Sequence, residues 1–338
     1  MTTSNDAPAI VLPESIAVTT GGRKSRIAFD RILAVLLVLP SIIAIAIFVY
    51  GFIGWTVRVS LSKWTRGLIA DYTWDGLKRY AELFHDRRFM EFDLPNTAVF
   101  TILFLILCLV IGLFLAILLD QKLKGETFFR SVYLFPMAIS FIVTGVAWRW
   151  LMNPATGSRI SGLTLLFSKL GLIPVINLLN QGFQSLGLDL VIQKYHTNPV
   201  PIGIGFVVIP AVWQMAGFTM AMYLGGLRSI PDDLREAARV DGASEFQIYR
   251  YIILPLLQPV TLSAVIILGH ISLKIFDLIV AIGQNNLQLD VPSVYMWRTT
   301  FDANNYARGA SIGVIMLVMV AILIIPYLVF SLRTETEL

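Results

Sequence analysis

The sequence has too little charge for a soluble protein. Only 14% of its 338 residues are charged, whereas 56% are hydrophobic. Soluble domains carry about 25% charged residues, so this chain lacks the polar surface that a soluble globule of its length needs. It also has a single cysteine, Cys108, which excludes an intramolecular disulfide and a cysteine-rich metal site. Because Cys108 lies in an apolar run, we expect it to pack in the core.

Motifs for nucleotide binding and catalysis are missing as well. The chain contains no Gly-x-x-x-x-Gly-Lys-Ser/Thr phosphate loop, so it is not expected to bind ATP phosphates in the usual way. The three histidines, His85, His196 and His270, are scattered, and no His-Glu-x-x-His or Ser/His/Asp arrangement occurs. No basic cluster with interleaved aromatic residues points to nucleic acid. We therefore expect no catalytic residues, no metal, no cofactor and no enzymatic activity.

The chain is instead rich in apolar runs that approach the ~20 residues needed to cross a bilayer. These runs predict membrane spans at about 32–55, 96–119, 131–151, 202–226, 259–282 and 309–330. A further run at 172–192 contains polar residues such as Asn177 and Asp189, which are costly in lipid, and we assign it to an outer loop as amphipathic helices. The predicted fold class is an all-α polytopic membrane protein with about six transmembrane helices.

Basic residues predict the orientation, because cytoplasmic loops are enriched in Lys and Arg. With six spans, the three most basic segments fall on one side of the bilayer: Arg23, Lys24, Arg26 and Arg31; Lys122, Lys124 and Arg130; and Arg228, Arg235, Arg239 and Arg250. Both termini are therefore predicted to be cytoplasmic, in a multi-pass protein of the inner (plasma) membrane.

The same reading divides the chain into two parts. Residues 1–30 are predicted to be a flexible cytoplasmic tail, and residues 31–338 the transmembrane domain, with outer loops at 57–95, 152–201 and 284–308. A cleaved signal peptide is the alternative for the tail, but the apolar run from Ile32 to Trp55 exceeds the usual length of its hydrophobic segment.

The loop at 227–258, between the fourth and fifth spans, is polar and patterned. Pro231 and the acidic residues after it suit a helix start, and Gly242 suits the left-handed residue that ends the helix. A second helix is predicted from near Ser244 to Pro255.

The first of these helices has a surface suited to docking. Ala237 and Ala238 form a flat patch, and Leu234 and Val240 form an apolar ridge, a combination typical of a helix that docks in a groove. An amphipathic connector lying on the membrane surface is the alternative interpretation.

The order of residues in this loop resembles the EAA loop of ABC importer permeases. The resemblance rests on Glu236, Ala237, Ala238, Asp241, Gly242, Ala243, Leu254 and Pro255, with Asp241-Gly242-Ala243 typical of the sugar branch. From about Arg31 onward the chain is similar to permeases of the maltose and glycerol phosphate type, specifically the subunit of the pair with the longer N-terminal region.

This resemblance implies a type I ABC importer permease fold and an ATP-driven import of sugar by alternating access. The implied partners are a second related permease, two cytoplasmic ATPase subunits and an extracytoplasmic sugar-binding protein. The eight matching residues would couple the chain to the ATPase, with Glu236 pairing with a basic residue of the ATPase and Gly242 allowing the sharp turn between the two helices.

Polar and aromatic residues of two spans are candidates for a substrate path. Ser263, His270, Lys274 and Asp277 recur at helical spacing in the fifth span, which predicts one polar helix face. They form either a sugar-contacting wall or, at Lys274 and Asp277, a pair that fixes helix packing. In the fourth span, the candidates are Trp213, Gln214, Phe218 and Tyr223, with packing as the alternative, and we expect close helix approach at Gly217, Gly225 and Gly226.

Two alternatives to a sugar importer stay open. Within the family, the substrate could be a glycerol phosphodiester rather than a mono- or disaccharide, but an anion calls for several cationic donors and only Lys274 favours it. An ion-coupled secondary transporter would show inverted repeats and broken helices with acidic residues near the midplane, and the sequence indicates neither feature.

Overall fold

The computed structural model describes residues 35–65, 67, 69–121, 124–152, 203–284 and 286–336, together with isolated positions between 166 and 181; side chains are described up to residue 326. The predicted tail, the signal-peptide alternative and nearly all of the 152–201 loop lie outside these residues. Within them, the regular structure is helical, and one isolated antiparallel bridge joins Ser62 to Trp74.

The chain divides into two compact units, Met1–Trp55 and Thr56–Leu338. We number the helices of the described residues in chain order: α1 Val35–Ser60, α2 Lys78–Phe84, α3 Phe89–Asp120, α4 Glu126–Leu134, α5 Phe141–Met152, α6 Ile204–Ser229, α7 Asp232–Val240, α8 Glu245–Leu256, α9 Gln258–Leu273, α10 Asp277–Gly283, α11 Pro292–Trp297 and α12 Tyr306–Thr336.

Four of these helices are long and apolar enough to cross a bilayer individually: α1, α3, α6 and the Tyr306–Pro326 part of α12. Two bent pairs raise the number to six if each counts as one span. One joins Glu126–Ala138 to Phe141–Leu151 with a bend of 95°, and the other joins α8 to α9 with a bend of 62°. The prediction of an all-α polytopic protein with about six spans is confirmed for the described residues.

Two predicted spans are not continuous helices. The run at 131–151 bends at Ile139, which has extended backbone dihedrals. The run at 259–282 ends as a helix at Leu273, and Phe276 has non-helical dihedrals before α10 begins. The carbonyl of Ile275, freed by this break, accepts a hydrogen bond from the buried hydroxyl of Ser293. The break therefore leaves no unpaired carbonyl at Ile275, as a buried backbone requires.

The main core lies between α3 and α6. Phe100, Phe104 and Cys108 of α3 are buried in one cluster with Val208 and Ala211 of α6, so the expected packing role of Cys108 is confirmed.

Glycine allows close approach around α6 at two of the three expected positions. A Cβ on Gly217 would overlap the carbonyl oxygen of Tyr133, and one on Gly226 would lie 2.8 Å from Leu257. Among the described residues, no atom lies within 4 Å of the Cβ position of Gly225, so the close helix approach expected there is not found within this part of the chain.

An ionic network holds the start of α3 against α11 and α12. Arg88 pairs with the buried Asp290, and Asp86 accepts hydrogen bonds from Tyr295, at 2.5 Å, and from Arg308. Burial and the hydrogen bond to Asp86 raise the pKa of Tyr295 to about 12, so its hydroxyl stays protonated and able to donate. Parts of the predicted outer loops 57–95 and 284–308 are thus helical and closely packed.

Candidate functional site

The loop at 227–258 folds into the two short helices that its sequence predicts. Pro231 is the residue before α7 rather than its first helical residue, and Gly242 adopts the left-handed conformation with φ of +83°. Ser244 then begins α8 with a reciprocal cap, in which its backbone N–H donates to Gln247 at 2.8 Å and its hydroxyl accepts from the Gln247 N–H at 3.4 Å. Such a cap satisfies two backbone donors of the helix start.

The two alanines of this loop face different ways. Ala238 is buried and packs with Ile248 and Leu257 in the chain's own core, whereas Ala237 is exposed. The expectation of one flat patch made by both alanines is therefore wrong, because neighbouring residues of a helix point about 100° apart.

The surface left open on α7 combines apolar residues with charged ones, and Asp232, Asp233 and Arg239 are exposed on it. Leu234 and Ala237 are exposed, and Val240 is 87% exposed. Glu236 is exposed too, and no ion pair within the described residues engages it. Among the other residues of the EAA pattern, those on the surface are Asp241, Gly242, Leu254 and Pro255, while Ala243 packs partly against the core.

Ion pairs fasten this loop to the ends of the spans. Arg235 of α7 binds Asp120 of α3 at 2.9 Å, and Arg228 of α6 binds Glu126 at 2.6 Å. The second and fourth basic loops thus meet at one end of α3. A cleft of about 430 Å³ lies beside the Arg235 pair, lined by Asp120, Gln121, Arg235, Arg239, Glu245 and Tyr249.

The predicted polar face of the fifth span is interrupted. Lys274 is the residue after the end of α9 and Asp277 starts α10, so they do not continue the helix face that carries Ser263 and His270. Lys274 and Asp277 are both exposed, and within the described residues no ion pair joins them. His270 is half-buried, and its Nδ1 has no hydrogen-bond partner in the described structure.

The fourth-span candidates have mixed surroundings. Gln214 is buried and donates from Nε2 to the carbonyl of Ile139 at 2.5 Å, so its amide satisfies a carbonyl freed by the bend between α4 and α5. Tyr223 is buried and donates to Thr261 at 3.1 Å. Phe218 packs partly against the core, and of the four candidates only Trp213, beside Trp148, is exposed, with 42% of its surface open.

Residues missed by the sequence interpretation are those that pair across long separations. Asp120 follows the apolar Leu118 and Leu119 and reads as an ordinary span end. Its partner is 115 residues away, and Asp290 lies 202 residues from Arg88. The only signal in the sequence is a charge at the edge of an apolar run.

The greater part of the chain matches a known protein family. Residues 108–335 match the family described as the binding-protein-dependent transport system inner membrane component. The chain belongs to this family. It is therefore a membrane transport component rather than an enzyme, and the recognition of an ABC importer permease is confirmed.

Individual relatives agree with the family assignment. A probable ABC transporter permease protein of Pyrococcus horikoshii is 39% identical over 89% of this chain and 96% of that protein. The xylose/arabinose import permease protein XacH of Haloferax volcanii is 34% identical over 86% of this chain and 85% of its own length. In fold, the chain resembles a subunit of a bacterial ABC transporter that imports the acidic polysaccharide alginate, with a TM-score of 0.64, 22% identity, and coverage of 89% of this chain and 96% of that one.

Proposed function

We propose that this chain is a transmembrane subunit of an ATP-driven importer that takes a mono- or disaccharide from a binding protein and moves it across the inner membrane by alternating access. The observation that carries the proposal is the exposed face of α7. The left-handed Gly242 follows this helix, and Arg235 attaches the helix to α3. A short helix fixed on its inner side and open on its outer side is suited to docking in a groove of another protein.

The partner for this face is a cytoplasmic ATPase. Glu236 is exposed and can accept an ion pair from a basic residue across the interface, while Leu234, Ala237 and Val240 supply the apolar contact. The exposed Leu254 and Pro255 lie at the end of α8, where the second half of the EAA pattern falls. Closure of the ATPase on ATP then moves α7 and, with it, the spans to which α7 is attached.

A neutral sugar fits the candidate path better than an anion. His270 is half-buried and Lys274 exposed at the break after α9, and recognition of a permanent anion calls for several charge-assisted donors. The xylose/arabinose permease among the relatives supports a sugar substrate. A glycerol phosphodiester is the alternative within the family.

The remaining parts of the proposal concern assembly and orientation. A second related permease, two ATPase subunits and an extracytoplasmic binding protein complete the importer. The 227–258 loop faces the cytoplasm, in keeping with the basic residues that the second and fourth loops bring to the same end of α3, and both termini are cytoplasmic.

Purification of the intact complex in mild detergent tests the proposal. We expect an ATPase subunit and a second permease to co-purify, and ATP hydrolysis to rise when the binding protein and one neutral sugar of a panel are added together. If a glycerol phosphodiester, and none of the sugars, stimulated ATP hydrolysis, the substrate would be the phosphodiester. Recovery of this chain by itself, with vesicle uptake that follows an ion gradient and ignores ATP, would contradict the importer and favour a secondary transporter.

A substitution at Glu236 tests the docking face directly. We expect Glu236→Ala to abolish ATP-dependent uptake while the protein still inserts in the membrane. The carboxylate is exposed and forms no ion pair within the described residues, so its removal affects only the contact with the ATPase. The matched control is Glu91→Ala, which removes an exposed carboxylate at the opposite end of α3 and should leave uptake unchanged. Normal uptake by Glu236→Ala at an equal membrane level would remove Glu236 from the interface.

A further inference from the structure

We propose that the ion pair of Arg235 with Asp120 is the link through which movement of α7 is transmitted to the spans. The inference rests on the proposed function, since it assigns a route for the motion that the ATPase imposes on α7. Arg235 directly precedes Glu236 in the sequence but points inward: its side chain is 16% exposed and that of Asp120 is 10% exposed. The same helix thus presents one charged side chain to the partner and the next to the membrane domain.

The contacts of Arg235 join two spans at once. One guanidinium nitrogen binds the carboxylate of Asp120 at 2.9 Å, and the other donates to the carbonyl of Leu227 at 3.4 Å. Asp120 is the last residue of α3, and Leu227 lies in the last turn of α6. These are the two helices whose packing forms the main core, so a displacement of Arg235 acts on the rigid centre of the membrane domain.

Asp120 is not explained by the stability of its own helix. The C-terminal end of a helix carries partial negative charge, so a carboxylate there is unfavourable and a cation is favourable. A largely buried carboxylate also needs a partner to offset its desolvation. Arg235 supplies both the cation at this helix end and the partner.

The other contacts of α7 differ from this pair in what they can transmit. Ala238 packs on Ile248 and Leu257, and such apolar contact transmits a push but resists separation weakly. The pair of Arg239 with Glu245, at 2.7 Å, is exposed and joins α7 only to the start of α8. Movement of α7 away from α3 can pull α3 along only through an attractive interaction. The largely buried ion pair of Arg235 with Asp120 provides that interaction.

The test compares single variants with the exchanged pair. Asp120→Asn and Arg235→Gln remove one partner each, and the double variant Asp120→Arg with Arg235→Asp reverses the pair. The reversed charges suit their helices, because a cation then ends α3 and a carboxylate lies in the first half of α7. Each complex is reconstituted in vesicles with its binding protein, and sugar uptake is measured per ATP hydrolysed.

We expect each single variant to lower uptake per ATP by about fivefold or more, the range of a typical coupling between two sites, and the exchange to restore it to within about twofold. Glu245→Gln, which breaks the neighbouring exposed pair, should leave the ratio unchanged. The ratio is insensitive to the amount of folded complex, so a purely structural role for the pair would not change it.

Two outcomes would overturn the inference. One is a normal ratio in both single variants; the other, decisive even if the single variants fail to assemble, is an exchanged pair that assembles and hydrolyses ATP but stays uncoupled. Failure of the proposed function looks different, because the unsubstituted complex would then contain no ATPase or import nothing on ATP.

Discussion

At the scale of single residues, the sequence shows which small or polar groups are unusual but not what they contact. Gly217 and Gly225 are indistinguishable as helix glycines, yet only Gly217 lies against the backbone of a neighbouring helix. The sequence predicts that the amide of Gln214 is available to a substrate. In the structure it donates to the carbonyl of Ile139, at the 95° bend between Glu126–Ala138 and Phe141–Leu151. What decides the role of each is a neighbour 70 to 90 residues away in the chain.

Replacement of these two glycines by alanine should change the stability of the complex in opposite directions. Alanine in place of glycine inside a helix is favourable by about 0.5–1 kcal/mol, so Gly225→Ala, which meets no neighbour, should raise the melting temperature of the purified complex slightly. Gly217→Ala places a Cβ on the Tyr133 carbonyl, and we expect it to lower stability by about 1–3 kcal/mol through overpacking. Thermal unfolding followed by light scattering measures both; shifts of the same sign would refute the close approach.

At the scale of elements, the α7–α8 turn is the part that the sequence predicted best. The helix end at Gly242 and the cap at Ser244 depend on residues within a few positions of each other, so local chemistry was sufficient. The fifth span was predicted poorly for the opposite reason. Its apolar composition continues through Ile275 to Ile282, but the helix ends at Leu273 because Ser293 satisfies the carbonyl at the break.

The turn also gives a graded prediction. Gly242 has φ of +83° and no neighbour within 4 Å of its Cβ position, so backbone conformation rather than space limits its replacement. A left-handed conformation costs most residues about 1–2 kcal/mol, and asparagine tolerates it better. We therefore expect ATP-dependent uptake to fall in the order glycine, Gly242→Asn, Gly242→Val when membrane levels are equal. Equal losses in the two variants would show that the ATPase, not the turn, requires glycine there.

At the scale of the whole molecule, charge is concentrated at the two ends of α3, about 48 Å apart for its 32 residues at ~1.5 Å per residue. One end carries the link of Asp120 to Arg235, and the other carries the network of Arg88, Asp290, Asp86 and Arg308. Burial raises the pKa of Asp290, and Arg88 opposes that rise. Burial of this carboxylate, which is 1% exposed, opposes its charged form, and Arg88 is the cation that favours it.

Removal of Arg88 should be costly. Breaking a buried ion pair from one side typically costs about 3–5 kcal/mol, and we expect Arg88→Met to lower the thermal stability of the complex by that order. Arg87→Met is the control next to it, since Arg87 and Glu91 form a solvent-exposed pair with side chains 81% and 53% exposed, and such pairs contribute little to stability. Adding Asp290→Leu to Arg88→Met should recover much of the loss. Equal effects at Arg87 and Arg88 would mean that the network does not stabilise this end.

The sequence by itself determined the membrane-spanning class, the approximate spans and the loop that carries the EAA pattern, because hydropathy, helix caps and turn residues act over a few to about twenty neighbouring positions. Only the tertiary structure decided where two spans break, which face of α7 stays open and which charges pair. Ala238 turned inward and Arg235 met Asp120 because helices far apart in the chain pack side by side. Such contacts depend on the relative placement of whole elements, which local sequence does not specify.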